Sequence, residues 1–182
     1  MGYLKLILGP MFSGKSTQLL ELIRKYKIID YHTMPIKHSA DIRYSDDDVI
    51  ISHNKDSEPC FKMDKLMTIF DDSIQKAVYI HSQVIIIEEA QFFVDLYEFI
   101  INALDDGKTI FVVGLNGDCN QKNFGDIHKL LPLCDDIELL KAYCFVCKNG
   151  TSGIFSKRTI ENNDQVLIGG EDKYIPVCRK HL

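Results

Sequence analysis

The sequence predicts an α/β protein, a doubly wound parallel sheet followed by a small C-terminal unit of different character. Three features carry that prediction. An apolar run, a glycine-rich loop and a helix-period segment follow one another at the start of the chain. Further β-branched apolar runs then alternate with helix-period segments as far as Ala142, as expected of a parallel sheet with covering helices. Residues 143–182 abandon that alternation and hold paired cysteines, so the boundary between a domain 1–142 and a domain 143–182 is drawn there.

Leu4, Leu6, Ile7 and Leu8 read as a buried parallel strand. The loop after it, Gly9, Pro10, Met11, Phe12, Ser13, Gly14, Lys15 and Ser16, fits G-x-x-x-x-G-K-[ST], the phosphate-binding P-loop, and Thr17 follows. Its glycines let the main chain turn tightly and aim several N–H groups at one anion. Lys15 is placed to meet the β- and γ-phosphates of a nucleotide, and the Ser16 hydroxyl suits Mg²⁺. Leu19, Leu20, Leu22 and Ile23 then recur at helical spacing with Glu21, Arg24 and Lys25 off that face, which puts the phosphates at a helix N-terminus. An isolated Gly–Lys turn would lack this strand–loop–helix context.

Residues 33–38 read as a second strand, with Pro35 suggesting an edge or a strand end because it gives up a ladder hydrogen bond. The run Asp46-Asp47-Asp48 reads as a solvated turn and residues 49–52 as a brief strand. Leu66, Ile69, Phe70, Ile74 and Val78 predict a helix. Four consecutive β-branched residues at 84–87 predict a buried central strand, with Glu88 and Glu89 at its carboxyl end, where open α/β sheets bind ligands and a Walker-B acid would stand. The alternative for these two is a pair of solvated helix-start glutamates. Leu96, Phe99, Ile100 and Leu104 predict a helix ended by Asp105-Asp106-Gly107, and residues 109–113 another buried strand. A polar loop spans 119–125; Ile127, Leu130 and Leu131 suggest a short helix stopped by Pro132.

With 46% hydrophobic and 26% charged residues among 182, the composition is that of an ordinary globular protein. No apolar run approaches a bilayer span and Lys5 interrupts the short N-terminal one, so a soluble, cytoplasmic protein is expected. A net charge of −5 offers nucleic acid no general attraction. Of six cysteines, Cys60, Cys119 and Cys134 are scattered, whereas Cys144-x-x-Cys147 and Cys178-x-x-His181 supply four S/N ligands, the set of a closed structural Zn²⁺ site. A redox C-x-x-C pair or unrelated cysteines are the alternatives.

Taken in order, these motifs resemble the type II thymidine kinases, the zinc-bearing family of animals, many bacteria and large DNA viruses. The likeness covers essentially the whole chain: the P-loop, Asp41-Ile42-Arg43-Tyr44-Ser45, Glu89-Ala90-Gln91-Phe92-Phe93, Lys122-Asn123-Phe124-Gly125 and Ile168-Gly169-Gly170-Glu171-Asp172-Lys173-Tyr174. The resemblance implies ATP-dependent phosphorylation of the thymidine 5′-hydroxyl, with Mg²⁺ as cofactor. It implies Glu89 as catalytic base, Lys15 and Arg43 as stabilisers of charge on the transferring group, and Asp41 beside the sugar and phosphates. It places Gln91 and Phe92 at the rim of the site and Met11 and Leu115 around the 5-methyl group. A lasso loop from about Gly150 to Gly169 is implied to close over the nucleoside, with Phe155, Ser156, Gln165, Val166, Leu167, Ile168, Gly169 and Tyr174 around the base and Phe124 enclosing its face. Since one methyl is worth only ~1–3 kcal/mol in an apolar pocket, deoxyuridine is expected to be a weaker substrate. A homotetramer and feedback inhibition by thymidine triphosphate are implied by the same analogy.

The chain departs from the family pattern where Glu88 replaces a usual Asp, which shifts the reach towards Mg²⁺, and where Cys119 replaces a usual aromatic substrate contact. Competing readings are an ATPase of nucleic-acid handling, which needs more basic surface than Lys157 and Arg158 provide, and a non-catalytic nucleotide-binding or scaffolding protein.

Overall fold

The computed structural model describes residues 1–41, 48–51, 55–162 and 164–182. Its centre is a six-stranded sheet of β1 (Tyr3–Leu8), β2 (Thr33–His38), β5 (Phe61–Met63), β6 (Val84–Glu88), β7 (Thr109–Gly114) and β8 (Asp136–Leu139), in the order β5-β2-β6-β7-β1-β8. Every pairing in it is parallel. Helices α1 (Lys15–Ile28), α2 (Ser73–His81) and α3 (Leu96–Asp105) lie in the connections.

Alternation along the strands explains why helices are needed on both faces. Leu4, Leu6, Leu8, Ile85, Ile87, Ile110 and Val112 pack on one side with Tyr79 of α2 and Phe99, Ile100 and Ala103 of α3. Ile7, Val84, Ile86, Phe111 and Val113 point the other way onto Leu19, Leu20 and Ile23 of α1. All of β6 is buried, the signature of a central strand covered twice. Each fully buried Leu or Ile contributes ~1.5–3 kcal/mol by leaving water, so this double layer is the main source of stability.

Local chemistry sets the ends. Asp72 caps α2 by accepting from the N–H groups of Ile74 and Gln75 at 2.9 and 2.8 Å. Gly107, at φ 75°, turns the chain out of α3 in the left-handed region. The helix expected from Leu66 to Val78 is two pieces, a 3-10 turn at Leu66–Phe70 and then α2, because the Asp72 cap restarts the helix. The helix expected after Gly125 is a single 3-10 turn, Ile127–Leu130. Pro35 does not mark the sheet edge; β2 is an inner strand, and Pro35 is tolerated because β5 pairs with it only from Ile36 to His38. The brief strand β3 (Val49–Ile51) lies outside the main sheet, in an antiparallel ladder with β4 (Ser57–Pro59).

After β8 the architecture changes. Strand β9 (Ala142–Tyr143) pairs antiparallel with β10 (Ser152–Gly153), and β11 (Phe155–Arg158) with β12 (Tyr174–Val177). None of the helices is long and apolar enough to cross a membrane, among the described residues.

Candidate active site

An all-parallel sheet sends the carboxyl ends of its strands to one edge, and that edge is where the site is assembled. The loop after β1 is the candidate phosphate cradle. A Cβ at Gly9 would stand 2.6 Å from Ser13 Oγ and 2.8 Å from the Leu140 carbonyl oxygen, so only glycine fits. Gly14, at φ 86°, is the left-handed N-cap of α1. Lys15 Nζ, nearly buried, donates to the carbonyls of Gly9 and Pro10 at 3.1 and 2.7 Å, which folds the ammonium over its own loop. Ser13 Oγ is buried and takes no hydrogen bond among the described residues, leaving its O–H as a donor suited to an anion in the cradle. Pro10, Phe12 and Thr17 complete the loop and its helix start, and Met11 N–H donates to Ser156 Oγ at 2.9 Å, tying the loop to β11.

At the end of β6 stand Glu88 and Glu89, 4% and 5% exposed, which removes the reading of them as solvated helix-start residues. Ser16 Oγ donates to Glu88 Oε1 at 2.5 Å, so the P-loop hydroxyl and the strand-end carboxylate form one pair of hard oxygen donors. Those are the ligand types Mg²⁺ selects beside a phosphate. Glu89 adopts φ 52°, ψ 41°, a left-handed conformation that turns its side chain away from the strand direction. Its carboxylate accepts from Gln91 Nε2, while Gln91 Oε1 accepts from the Leu115 N–H at 3.1 Å. Gln91 is 3% exposed and hence not a rim residue. Room for it depends on two glycines: a Cβ at Gly114 would come within 2.7 Å of Gln91 Oε1, and one at Gly125, at φ 59°, would run into the Gln91 carbonyl.

Two cavities meet here. One of about 590 Å³ lies over the P-loop and is walled by Phe12, Ser13, Lys15, Ser16 and Thr17 together with Phe145, Glu171 and Pro176. A smaller, more enclosed one of about 40 Å³ is walled by Gln91, Phe92, Leu115, Asp118, Cys119, Phe124, Ser156 and Gln165, Val166, Leu167, Ile168 and Gly169. Met11, Glu89 and Tyr174 border both. Phe92 and Phe124 meet edge to face at 5.5 Å, giving the smaller pocket an aromatic wall.

The sequence-predicted residues do not all converge. Strand alternation puts Ser156 inward and Phe155 outward, where the Arg179 guanidinium covers its ring at 4.8 Å; Phe155 is no part of the pocket wall. Asp41 stands outside that wall too, buried against Lys37 with Nζ to Oδ2 at 3.4 Å. Arg43 lies outside the described residues. Asp118 is a wall residue that sequence reasoning missed: nearly buried, it accepts from the N–H groups of Asn120 and Lys122 and from Gln165 Nε2 at 2.8 Å. Its only signal was a Gly–Asp turn at the end of a buried strand. Lys37, 3% exposed, was read merely as part of a strand.

The paired cysteines come together as expected. Cys144 Sγ and His181 Nδ1 are 3.6 Å apart, Cys147 and Cys178 Sγ each 3.4 Å from the same nitrogen and 3.7 Å from each other. A tetrahedron with Zn–S of ~2.3 Å and Zn–N of ~2.0–2.1 Å has edges of ~3.5–3.8 Å, so the four donors fit zinc without rearrangement. Burial raises the Cys144 thiol, but N–H groups of Cys147, Cys178 and Val146 and the His181 ring outweigh it and bring it down to about 5, favouring the thiolate that metals bind. Cys60, by contrast, is pushed up to about 12 by burial and is inert.

The thymidine kinase family profile matches residues 2–182. The chain belongs to the thymidine kinase family. It is 39% identical over 181 residues to the thymidine kinase of fowlpox virus (strain NVSL), covering 98% of this chain and 96% of the viral one. It is 43% identical to thymidine kinase a of Arabidopsis thaliana over 182 residues, 99% of this chain and 74% of the plant protein. The thymidine kinase of Yaba monkey tumor virus is 38% identical over 178 residues, 98% and 93% of the two chains. Membership in the thymidine kinase family makes the chain a phosphotransferase, which fits a phosphate cradle beside an enclosed pocket with a buried carboxylate between them.

Proposed function

We propose that the chain transfers the γ-phosphoryl group of ATP to the 5′-hydroxyl of thymidine, with Glu89 as general base. The observation that carries this reading is that Glu89 borders both the cavity over the P-loop and the aromatic-walled one beside it. Gly9, Gly14 and the neighbouring amides would hold the phosphates, and Lys15 would swing from its loop carbonyls to neutralise them. Ser16 and Glu88 would hold Mg²⁺, which supplies neutralisation of phosphate charge when bound. Their direct contact supports Glu88 as an adequate substitute for the shorter Asp. Glu89 accepts the hydroxyl proton as the oxygen attacks in line. Asp41 and Arg43 assist at the sugar and phosphate side.

Met11, Leu115 and Phe124 enclose the thymine ring, and the 165–169 main chain reads its edge. Cys119 widens that pocket where an aromatic is usual, and deoxyuridine is the weaker substrate by the ~1–3 kcal/mol of one methyl. We read residues 143–182 as a separate zinc ribbon that carries this lasso, thymidine triphosphate as a feedback inhibitor in the nucleoside pocket, and the assembly as a homotetramer acting in the cytoplasm without nucleic acid.

The test is Glu89→Gln assayed by label transfer from ATP to thymidine and, separately, by ATP binding. Turnover falls at least ~100-fold, as for loss of a general base, while ATP affinity stays within about threefold. Near-wild-type turnover would reject the assigned base.

A further inference from the structure

Between β11 and β12 the chain runs through residues 159–173 without a strand or helix, among those described. A segment with no ladder must satisfy its carbonyls by other donors. One side chain reaches three of them. All three nitrogens of Arg158 donate: Nη1 to the carbonyls of Asn162 and Asp164 at 2.7 and 2.8 Å, Nη2 to that of Gln165 at 3.3 Å and to Tyr174 Oη at 3.0 Å, and Nε to the same hydroxyl at 3.3 Å. With its two lone pairs facing Arg158, the Tyr174 hydroxyl turns its proton to the Leu167 carbonyl at 2.7 Å. The guanidinium also lies over the Tyr174 ring, 5.5 Å from its centre.

We infer that Arg158 is a positioning residue for the nucleoside, a pin that preorganises the main chain at Asn162 and at 164–167 without touching the substrate. This rests on the reading that the small pocket takes the base. Gln165, Leu167 and Tyr174, each held by the pin, form part of that pocket's wall, whereas Arg158 does not. The geometry requires a planar fork. Carbonyls on one side and a phenol on the other are met by donors in fixed directions, which a single ammonium on a flexible stem does not reproduce. Releasing the pin lowers the fraction of chains whose loop is ready to bind, and apparent affinity for the nucleoside falls by that fraction.

The experiment uses the full zinc-loaded chain and compares wild type, Arg158→Lys, Tyr174→Phe and the double variant. Expected is a rise of ~10-fold in KM for thymidine in each single variant, with the double no worse than the poorer single, because both act through one hydrogen-bond hub. In Arg158→Lys, kcat at saturating thymidine and KM for ATP stay within about twofold. Limited proteolysis cuts within 159–173 faster in Arg158→Lys than in wild type, and saturating thymidine suppresses the difference. An unchanged thymidine KM in Arg158→Lys overturns the inference, as do fully additive effects. A parallel rise in KM for ATP does so too, since it would assign Arg158 to general stability. Absence of thymidine turnover in wild type would instead refute the functional reading, and the proteolysis comparison without nucleoside would still decide whether Arg158 orders the loop.

Discussion

Replacing Gln91 by Glu is the sharpest probe of how the proposed base, Glu89, is held. The new side chain has the shape of the old one, and one oxygen keeps the Leu115 N–H now accepted at 3.1 Å. The other oxygen replaces the amide that donates to Glu89, so an attraction becomes a contact between two carboxylates. At a separation of ~3 Å and an effective dielectric of ~20, two full charges repel by about 5 kcal/mol. Positions 89 and 91 are 5% and 3% exposed, so solvent relieves little of this. The variant pair therefore shares one proton at neutral pH, as closely spaced carboxylate dyads do. Glu89 would then have to accept a substrate proton while its neighbour competes for it. The acid limb of the kcat profile moves ~2–3 pH units towards alkali, and turnover at pH 7 falls about 100-fold with recovery as the pH rises. The assay is kcat against pH at saturating ATP and thymidine for wild type and Gln91→Glu, with thermal midpoints recorded alongside. Superimposable profiles would refute the claim that the carboxamide orients the base; a uniform loss with no shift would refute its electrostatic part.

Two further outcomes follow from groups outside the catalytic pair. Burial lowers the His38 pKa below its ordinary 6.5 against the opposing pull of Asp64, Asp95 and Asp41, and His38 Nδ1 accepts from the Ala40 N–H at 3.0 Å, a bond only the unprotonated nitrogen makes. The unfolded chain thus binds the proton more readily, so this stabilisation is present above about pH 6.5 and is lost as the pH falls from there through the lowered folded-state pKa. Thermal midpoints from about pH 5 to 8 should decline on the acid side in wild type and less so in His38→Gln; equal slopes would remove His38 as the source. For the metal cluster, Cys178→Ala should take zinc, measured by mass spectrometry, from about one equivalent per chain to almost none and abolish thymidine binding while ATP binding persists. Retained zinc at wild-type stoichiometry would reject the four-ligand reading.

What could be read from the sequence was whatever is local. The P-loop, the apolar runs of β6 and β7 and the two C-x-x-(C/H) knuckles each declare themselves within a few residues, and each forms where expected. What could not be read depends on partners far along the chain. Nothing near Ser156 says that its hydroxyl receives a hydrogen bond from Met11, 145 residues away. Gln91 looked like a loop residue because its burial comes from Gly114 and Gly125, whose missing side chains make the space. Phe155 was assigned to the pocket by family position, and a one-residue phase on β11 decides otherwise. The edge strands β5 and β8 are short and only partly apolar, so neither carries a strong alternation signal. The Asp41–Lys37 pair went unseen because a lysine in a strand normally signals solvent, and here both partners are buried.

The uniform direction of the sheet has a further meaning. Tyr3, Thr33, Val84 and Thr109 open their strands on the rim opposite to the P-loop, Glu89 and Leu115. The candidate site thus gathers on one shore of the molecule, and the turns that open these strands stand on the other. A lineage can rebuild its turns there, or append material to them, and leave the reacting atoms undisturbed, a division of labour that lets one scaffold persist while its outline drifts.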